Sequence, residues 1–541
     1  MAPAEAAIAP AGAPAAAPGE IPAPRGVRLG FLLRGLAALI CGQGIRTLGH
    51  LVLVPVYLRH WTATAYGEWL ALASLTASLS AFDLGVSTAS ANRLTQEHAR
   101  GDGEAYARTQ ASALAFYTAV ALGGAALLAV AVWALPIAGW LGLRAIAPAD
   151  AAWVAWLLGA QILLALPVGL LAAVYRTTGR LAWTEWLGNA RALGVLALVP
   201  LVLALGGGMP ALAALQLLPL AGVGAFVLWD LAWRWPALVP RPTRARAAAL
   251  RELLGPSLLF AVMVLANALA MQGAVLLVMR RLGGAAVAVF VTSRTLTGLI
   301  RQAVFTLNNA IWPQLTAMEA LCDYRRLRVL HQLLALGAGA LAVAFAATLW
   351  QVGDEVIAFW SAGALVADTG LLRLLLVHVV LQASWVASSL LPVALNRPRT
   401  VAAASATANV IGLAVAAVLM GRLGTWAVPV GLIAGEAVAC SVLVPRAACR
   451  LVQADYGAFA RRQWVGLAAA ATVALPASWL AAQAVAGPAL LRWPAVGVAG
   501  LLGSALGAWA LGLDGEARGA LARRARAALS RPGARAEVPV A

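Results

Sequence analysis

Fourteen stretches of about 20 predominantly apolar residues, each long enough to cross the hydrocarbon core of a bilayer as a helix, follow one another along this chain of 541 residues. They fall at roughly 35–57, 66–92, 110–133, 151–174, 183–205 and 211–233, then at 256–279, 286–315, 329–351, 370–395, 400–420, 427–445, 464–485 and 493–513. Backbone in lipid must satisfy its own hydrogen bonds, so repeated runs of this length predict an all-α, polytopic membrane protein. With 62% hydrophobic residues and a mean hydropathy of +0.85, a soluble surface could not hide the surplus.

The formal charge of +18 belongs to a chain only 11% charged, with no basic block interleaved with aromatics, so no nucleic-acid partner is expected. All 39 basic residues are Arg, so an Arg here carries no information about preference over Lys. With the N-terminus inside, 28 arginines fall in cytoplasmic segments, 6 in exterior loops and 5 within spans. Positively charged loops are retained on the cytoplasmic side. The bias predicts an even number of spans, with both termini cytoplasmic.

Residues 1–28 form an Ala/Pro-rich tail with no basic region ahead of an apolar core, so the tail does not read as a signal peptide and the first span is expected to direct insertion. Cys41, Cys322, Cys440 and Cys449 form no CxxC pair and have no His cluster nearby, which argues against a metal site or a disulfide framework. Most of the 20 tryptophans lie near span ends, where indole suits the membrane interface.

The spans divide into a six-helix unit over 29–235, a basic connector over 236–255 and a second six-helix unit over 256–448, followed by two further helices over 449–513 and a basic tail over 514–541. An ungapped shift of 221 residues pairs Ala65 with Ala286, Leu75 and Thr76 with Leu296 and Thr297, Ala89 with Ala310, Leu94 and Thr95 with Leu315 and Thr316, Ala99 with Ala320, and Asp102 with Asp323. These lie in the second helix of each unit, as expected of a transporter built from repeated halves. The segment YGEWLALASLTASLSAFDLGVSTASANRLTQEHARGD, Tyr66 to Asp102, resembles the second-helix region of Wzx-type polysaccharide flippases of the multidrug/oligosaccharidyl-lipid/polysaccharide exporter superfamily. TSRTLTGLIRQAVFTLNNAIWPQLTAMEA, with its WPQ ending at Trp312, Pro313 and Gln314, resembles their second copy. The resemblance covers residues 30 to 450 and implies two lobes around a central cavity that opens to either side in turn. It also implies an undecaprenyl-diphosphate-linked oligosaccharide as cargo, with a polysaccharide polymerase and a chain-length regulator as partners in lipopolysaccharide or exopolysaccharide assembly. No cofactor is expected.

An ionisable group at mid-membrane costs at least about 2.5 kcal/mol and usually faces a bundle interior or a wet cavity. On the first span Gln43, Arg46 and His50 share a face, with Arg46 about 16 Å along the helix, too deep for easy snorkelling. Arg46 is expected either to face a cavity or to pair with an acid such as Asp83. On the eighth span Arg294, Arg301 and Asn308 recur every seven residues. Guanidinium forks suit phosphate oxygens, so this stripe is the candidate for holding a diphosphate, with pairing to neighbouring acids as the alternative. Asp83 lies on a hydroxyl-lined face of the second span, suited to sugar contact or to helix packing. Arg191 accompanies Asn189 and Glu185 on the fifth span, as part of the cavity or of a local pair. His378, Gln382 and Glu436 read first as satisfied helix contacts and second as a proton path.

A membrane glycan polymerase or ligase would need a sizeable exterior loop with a nucleophile and a base. Neither 134–150 nor 352–369 supplies one, so an enzyme is not expected. A cation-coupled multidrug exporter of the same superfamily would favour acids in its cavity rather than arginines. A lipid II flippase, with a similar diphosphate cargo, is the nearest alternative.

Overall fold

The computed structural model describes residues 29–83, 86–178, 180–250, 268, 271–320, 323–395, 397–485, 487–513, 515 and 518. The tail 1–28, the end of the connector 251–255, most of the expected seventh span, Cys322 and most of the basic tail lie outside the described residues. So do the side chains of His50, Asn309, Trp312, Pro313 and Gln314. The described residues are 89% helical with no strand. Nine segments among them are long and apolar enough to cross a membrane, by length and composition.

The first lobe runs through α1 (Leu29–His60), α2 (Ala63–Ala77), α3 (Val86–Ala99), α4 (Gly103–Ala134), α5 (Pro148–Ala172), α6 (Leu181–Ala204), α7 (Met209–Leu215) and α8 (Leu217–Arg234). The second contains α9 (271–282), α10 (Gly284–Ala320), α11 (Tyr324–Trp360), α12 (Thr369–Ala394), α13 (Arg399–Leu423) and α14 (Ala427–Leu451). Two more helices, α15 (Tyr456–Ala484) and α16 (Ala489–Gly507), follow. Exposed side chains such as Leu127 (73%) and Val418 (80%) would be stranded in water and belong against lipid.

Asp102 and Asp323, matched by the 221-residue shift, play the same part in both lobes. Asp102 Oδ1 accepts from the N–H of Ala105 at 2.9 Å, capping α4. Asp323 Oδ1 accepts from the N–H of Arg326 at 3.0 Å, capping α11. The connector lies along the first lobe, where the N–H of Arg246 donates to Ser112 Oγ at 2.8 Å.

The second expected span is not one helix. Thr76 Oγ1 donates back to the carbonyls of Leu72 and Ala73 at 3.0 Å each, and Ser80 Oγ donates to that of Ala77 at 2.8 Å. Such back-bonding competes with the helical ladder, and Ser78–Asp83 tightens to a 3-10 turn before α3 begins. The sixth span also divides, at Gln216, just ahead of Pro219, which has no N–H to donate. At the break, the carbonyl of Gln216 accepts from Gln161 Nε2 at 3.2 Å.

Small residues set the tightest helix contacts. A Cβ on Gly435 would strike the carbonyl of Ala408, which holds α13 and α14 backbone to backbone. The two last helices pack on α11, with Ser504 Oγ donating to the carbonyl of Ala340 at 2.6 Å. The two lobes touch where α2 and α10 begin: the backbones of Gly67 and Gly284 meet with no space for a side chain between them. Beside them Trp360 Nε1 donates to the carbonyl of Leu51 at 3.1 Å, joining α11 to α1. Glu68, wholly buried, accepts from the N–H groups of Arg144 at 2.6 Å, Ala145 at 2.9 Å and Ile146 at 2.9 Å, which fastens the loop before α5 to this junction.

Candidate functional site

A polar cluster in the second lobe is built around Glu436. Three residues of α12, His378, Gln382 and Trp385, lie at i, i+4 and i+7 and so project from one face. All three reach the Glu436 carboxylate on α14. Oε1 takes His378 Nε2 at 3.1 Å and the amide of Gln382 at 2.9 Å, while Oε2 takes the indole N–H of Trp385 at 2.9 Å. A carboxylate left bare inside a bilayer would be costly, and this cage satisfies it.

The caged acid borders a cavity of about 500 Å³ that also receives Arg301 and Gln302 from α10, and Asn409 from α13. Arg301 Nη1 approaches Met271 Sδ at 3.7 Å. Glu436 acts electrostatically on Arg301, yet among the described residues no ion pair joins them. The site thus carries a positive and a negative group facing one space, with amides and an indole between them. A guanidinium with donors to spare can grip phosphate oxygens in a fork. Among the described residues no three His, Cys, Asp or Glu side chains gather in a way that could hold a metal ion.

The arginine stripe of the eighth span divides in two. Arg294 Nη1 donates to the carbonyl of Met271 at 2.7 Å, and its guanidinium lies 5.2 Å from the centre of the Phe290 ring. That side chain ties α9 to α10. Arg301, two turns further along, faces the cavity. Asn308 is buried, and its Oδ1 has no hydrogen-bond partner.

In the first lobe, Arg46 is exposed and donates to Gln43 at 3.3 Å, its neighbour on the expected face. Asp83 pairs elsewhere: it accepts from Ser87 N at 3.3 Å and Ser87 Oγ at 2.8 Å, capping α3, and from the Tyr117 hydroxyl. Arg191 is half-buried on α6 and has no carboxylate partner among the described residues, Glu185 included. Asn189 sits against α1, where a Cβ on Gly42 would strike it. His50 lies on α1, its side chain outside the described ones. Of the expected binding residues, the cavity gathers Arg301; Arg46, Asp83, Arg191, Gln43, Arg294 and Asn308 do not line it. It gathers instead His378, Gln382 and Glu436, with Trp385, which sequence reasoning did not single out. The spacing of His378, Gln382 and Trp385 was the available signal.

No protein-family model matches the sequence, and no curated protein matches it. Solved structures do. An inward-facing multidrug resistance MATE family transporter of the MOP superfamily aligns with a TM-score of 0.65 over 77% of this chain and 98% of its own, at 16% identity. This chain shares the fold of that transporter. The lipid II flippase MurJ, in an inward closed conformation, aligns with a TM-score of 0.64 over 88% of this chain and 97% of its own, at 9% identity. A MOP superfamily transporter from Pyrococcus furiosus Vc1 (DSM3638), described in terms of a binding pocket of reverse polarity, aligns at 0.56 over 78% of this chain and 95% of its own, with 18% identity.

Proposed function

We propose that this chain is a flippase that moves a polyprenyl-diphosphate-linked oligosaccharide, the repeat unit of a surface polysaccharide, between the leaflets of a bacterial inner membrane. The observation that carries this reading is the Arg301 guanidinium, which faces the second-lobe cavity with, among the described residues, a thioether as its hydrogen-bond acceptor and no carboxylate paired with it. Such a group, deep in an apolar bundle, asks for an anion, and a diphosphate supplies oxygens that fit its fork. The arginine distribution supports an orientation with both termini cytoplasmic. In that orientation the Gly67–Gly284 junction closes the exterior side, and the cargo enters from the cytoplasmic leaflet as the lobes part in turn about the cavity.

Lipid II is the second cargo, favoured by one observation: the lipid II flippase aligns over 88% of this chain against 77% for the multidrug transporter, and so over more of it. Both cargoes present a polyprenyl diphosphate. A cationic drug is disfavoured by Arg301.

The test is a deletion strain complemented with the wild type or with Arg301→Ala at equal membrane abundance. Loss of surface polysaccharide in the deletion strain, restored by the wild type and not by the variant, supports the reading. Intact polysaccharide with blocked export of cell-wall precursor points to lipid II instead. Full complementation by Arg301→Ala overturns the role assigned to that residue.

A further inference from the structure

Two opposite charges that share one membrane-buried cavity would ordinarily collapse into a direct pair, since each lowers the other's cost in low dielectric. Arg301 and Glu436 do not. Glu436 is held on the α12 side of the cavity by three donors, with both oxygens engaged. Arg301 comes from α10 and, among the described residues, donates only to Met271 Sδ, a weak acceptor. A guanidinium has five N–H donors, so most of those on Arg301 remain available.

We propose that Glu436 is an affinity-limiting counter-charge, held back from Arg301 by the His378–Gln382–Trp385 cage. It balances the arginine without occupying it, and so reserves the guanidinium fork for an anionic group of the cargo. This deepens the flippase reading above and rests on it.

The chemistry follows from the geometry. Without Glu436 the cavity would hold an uncompensated positive charge and would retain any small anion that entered. With it, a singly charged group gains little, because attraction to Arg301 is offset by repulsion from a carboxylate across the same space. A diphosphate gains more from the fork, through its several oxygens, while its repulsion from Glu436 grows with its charge as well. The same repulsion weakens the hold on the diphosphate, which favours release once the cavity opens to the other side. Glu436 therefore limits how tightly the cavity holds an anion and keeps the bound state from becoming a trap.

The experiment uses the purified full chain in detergent, with inorganic pyrophosphate and methyl phosphate as probes and titration calorimetry as readout. The variants are Arg301→Gln, Glu436→Gln and the double variant. Arg301→Gln is expected to lose most pyrophosphate affinity. Glu436→Gln is expected to bind pyrophosphate at least about tenfold more tightly, as removal of one like charge within about 12 Å at an effective dielectric near 20 implies. It should bind methyl phosphate more tightly by a smaller factor, because repulsion from the carboxylate grows with the charge of the ligand. Most of the gain should vanish in the double variant.

A further variant moves binding the opposite way. Gln382→Leu removes one bar of the cage and frees the carboxylate to swing toward Arg301, so pyrophosphate affinity should fall. If Arg301→Gln weakens binding but Glu436→Gln leaves it unchanged or weaker, the counter-charge role is overturned and the flippase reading stands. If Arg301→Gln binds pyrophosphate as the wild type does, the flippase reading loses its anion site and this inference falls with it. Should Glu436→Gln not yield monodisperse protein, Gln382→Leu decides alone: unchanged or tighter binding overturns the proposal.

Discussion

Gly67 on α2 and Gly284 on α10 cross so closely that a Cβ on either would fall on backbone of the other helix, the carbonyl of Gly284 in one case and that of Thr64 in the other. Neither atom can step aside, because both belong to helix starts. Gly67→Ala and Gly284→Ala should each force the lobes apart at this end, at a cost of about 1–3 kcal/mol typical of overpacking. A lowered unfolding midpoint would register the cost. Faster reaction of a cysteine placed at Thr64, with the native cysteines replaced, would register the opening.

Beside that crossing, Glu68 gathers N–H groups from Arg144, Ala145 and Ile146. Removing the carboxylate strands three backbone donors, each worth about 1.5–3 kcal/mol when bonded to a charged acceptor. Glu68→Ala is expected to free the loop before α5, seen as new proteolytic cleavage between residues 142 and 147 and a drop in the unfolding midpoint, with Glu68→Gln intermediate.

The two arginines of α10 should separate by assay. Arg294 is bonded to the Met271 carbonyl at 2.7 Å and packed on Phe290, so Arg294→Ala removes a tie between α9 and α10 and should lower stability. Arg301→Ala should leave the unfolding midpoint close to the wild type while transport is lost. Thermal unfolding followed by size-exclusion chromatography, run beside the complementation assay, measures both. Equal stability losses for the two variants would contradict the division.

Asp83, Ser87 and Tyr117 form one hydrogen-bonded group at the start of α3. Asp83→Asn and Tyr117→Phe should each destabilise by about 1 kcal/mol, and the double variant should cost less than their sum, because the second change removes a bond already broken. Denaturation of the four proteins supplies the cycle.

Where the sequence was informative, one property of one residue was enough. Apolar run length located the helices at 110–133 and 329–351, which became α4 and α11. The acid at each turn marked Asp102 and Asp323, whose matching caps the 221-residue shift had paired. Where it was not, the decisive partner lay elsewhere in the chain. Nothing near Arg294 announces that a backbone carbonyl 23 residues earlier will take its proton donors. Glu436 looks solitary until His378 and Gln382, 58 and 54 residues away, are folded against it. The break in the second span is an intermediate case. Its serines and threonine were visible as a polar face, but their turn back onto their own helix, rather than outward, depends on the local backbone.

That break has a consequence for the duplicated architecture. Its counterpart, α10, is an uninterrupted helix of 37 residues, while α2 and α3 are separate pieces of 15 and 14 residues joined by a 3-10 turn. Of the two segments paired by the 221-residue shift, one is a rod and the other a jointed limb. The two halves therefore meet at Gly67 and Gly284 as mechanically unlike partners: a push at that crossing travels the length of α10 undivided, but reaches the far end of α3 only through a corner held by Asp83.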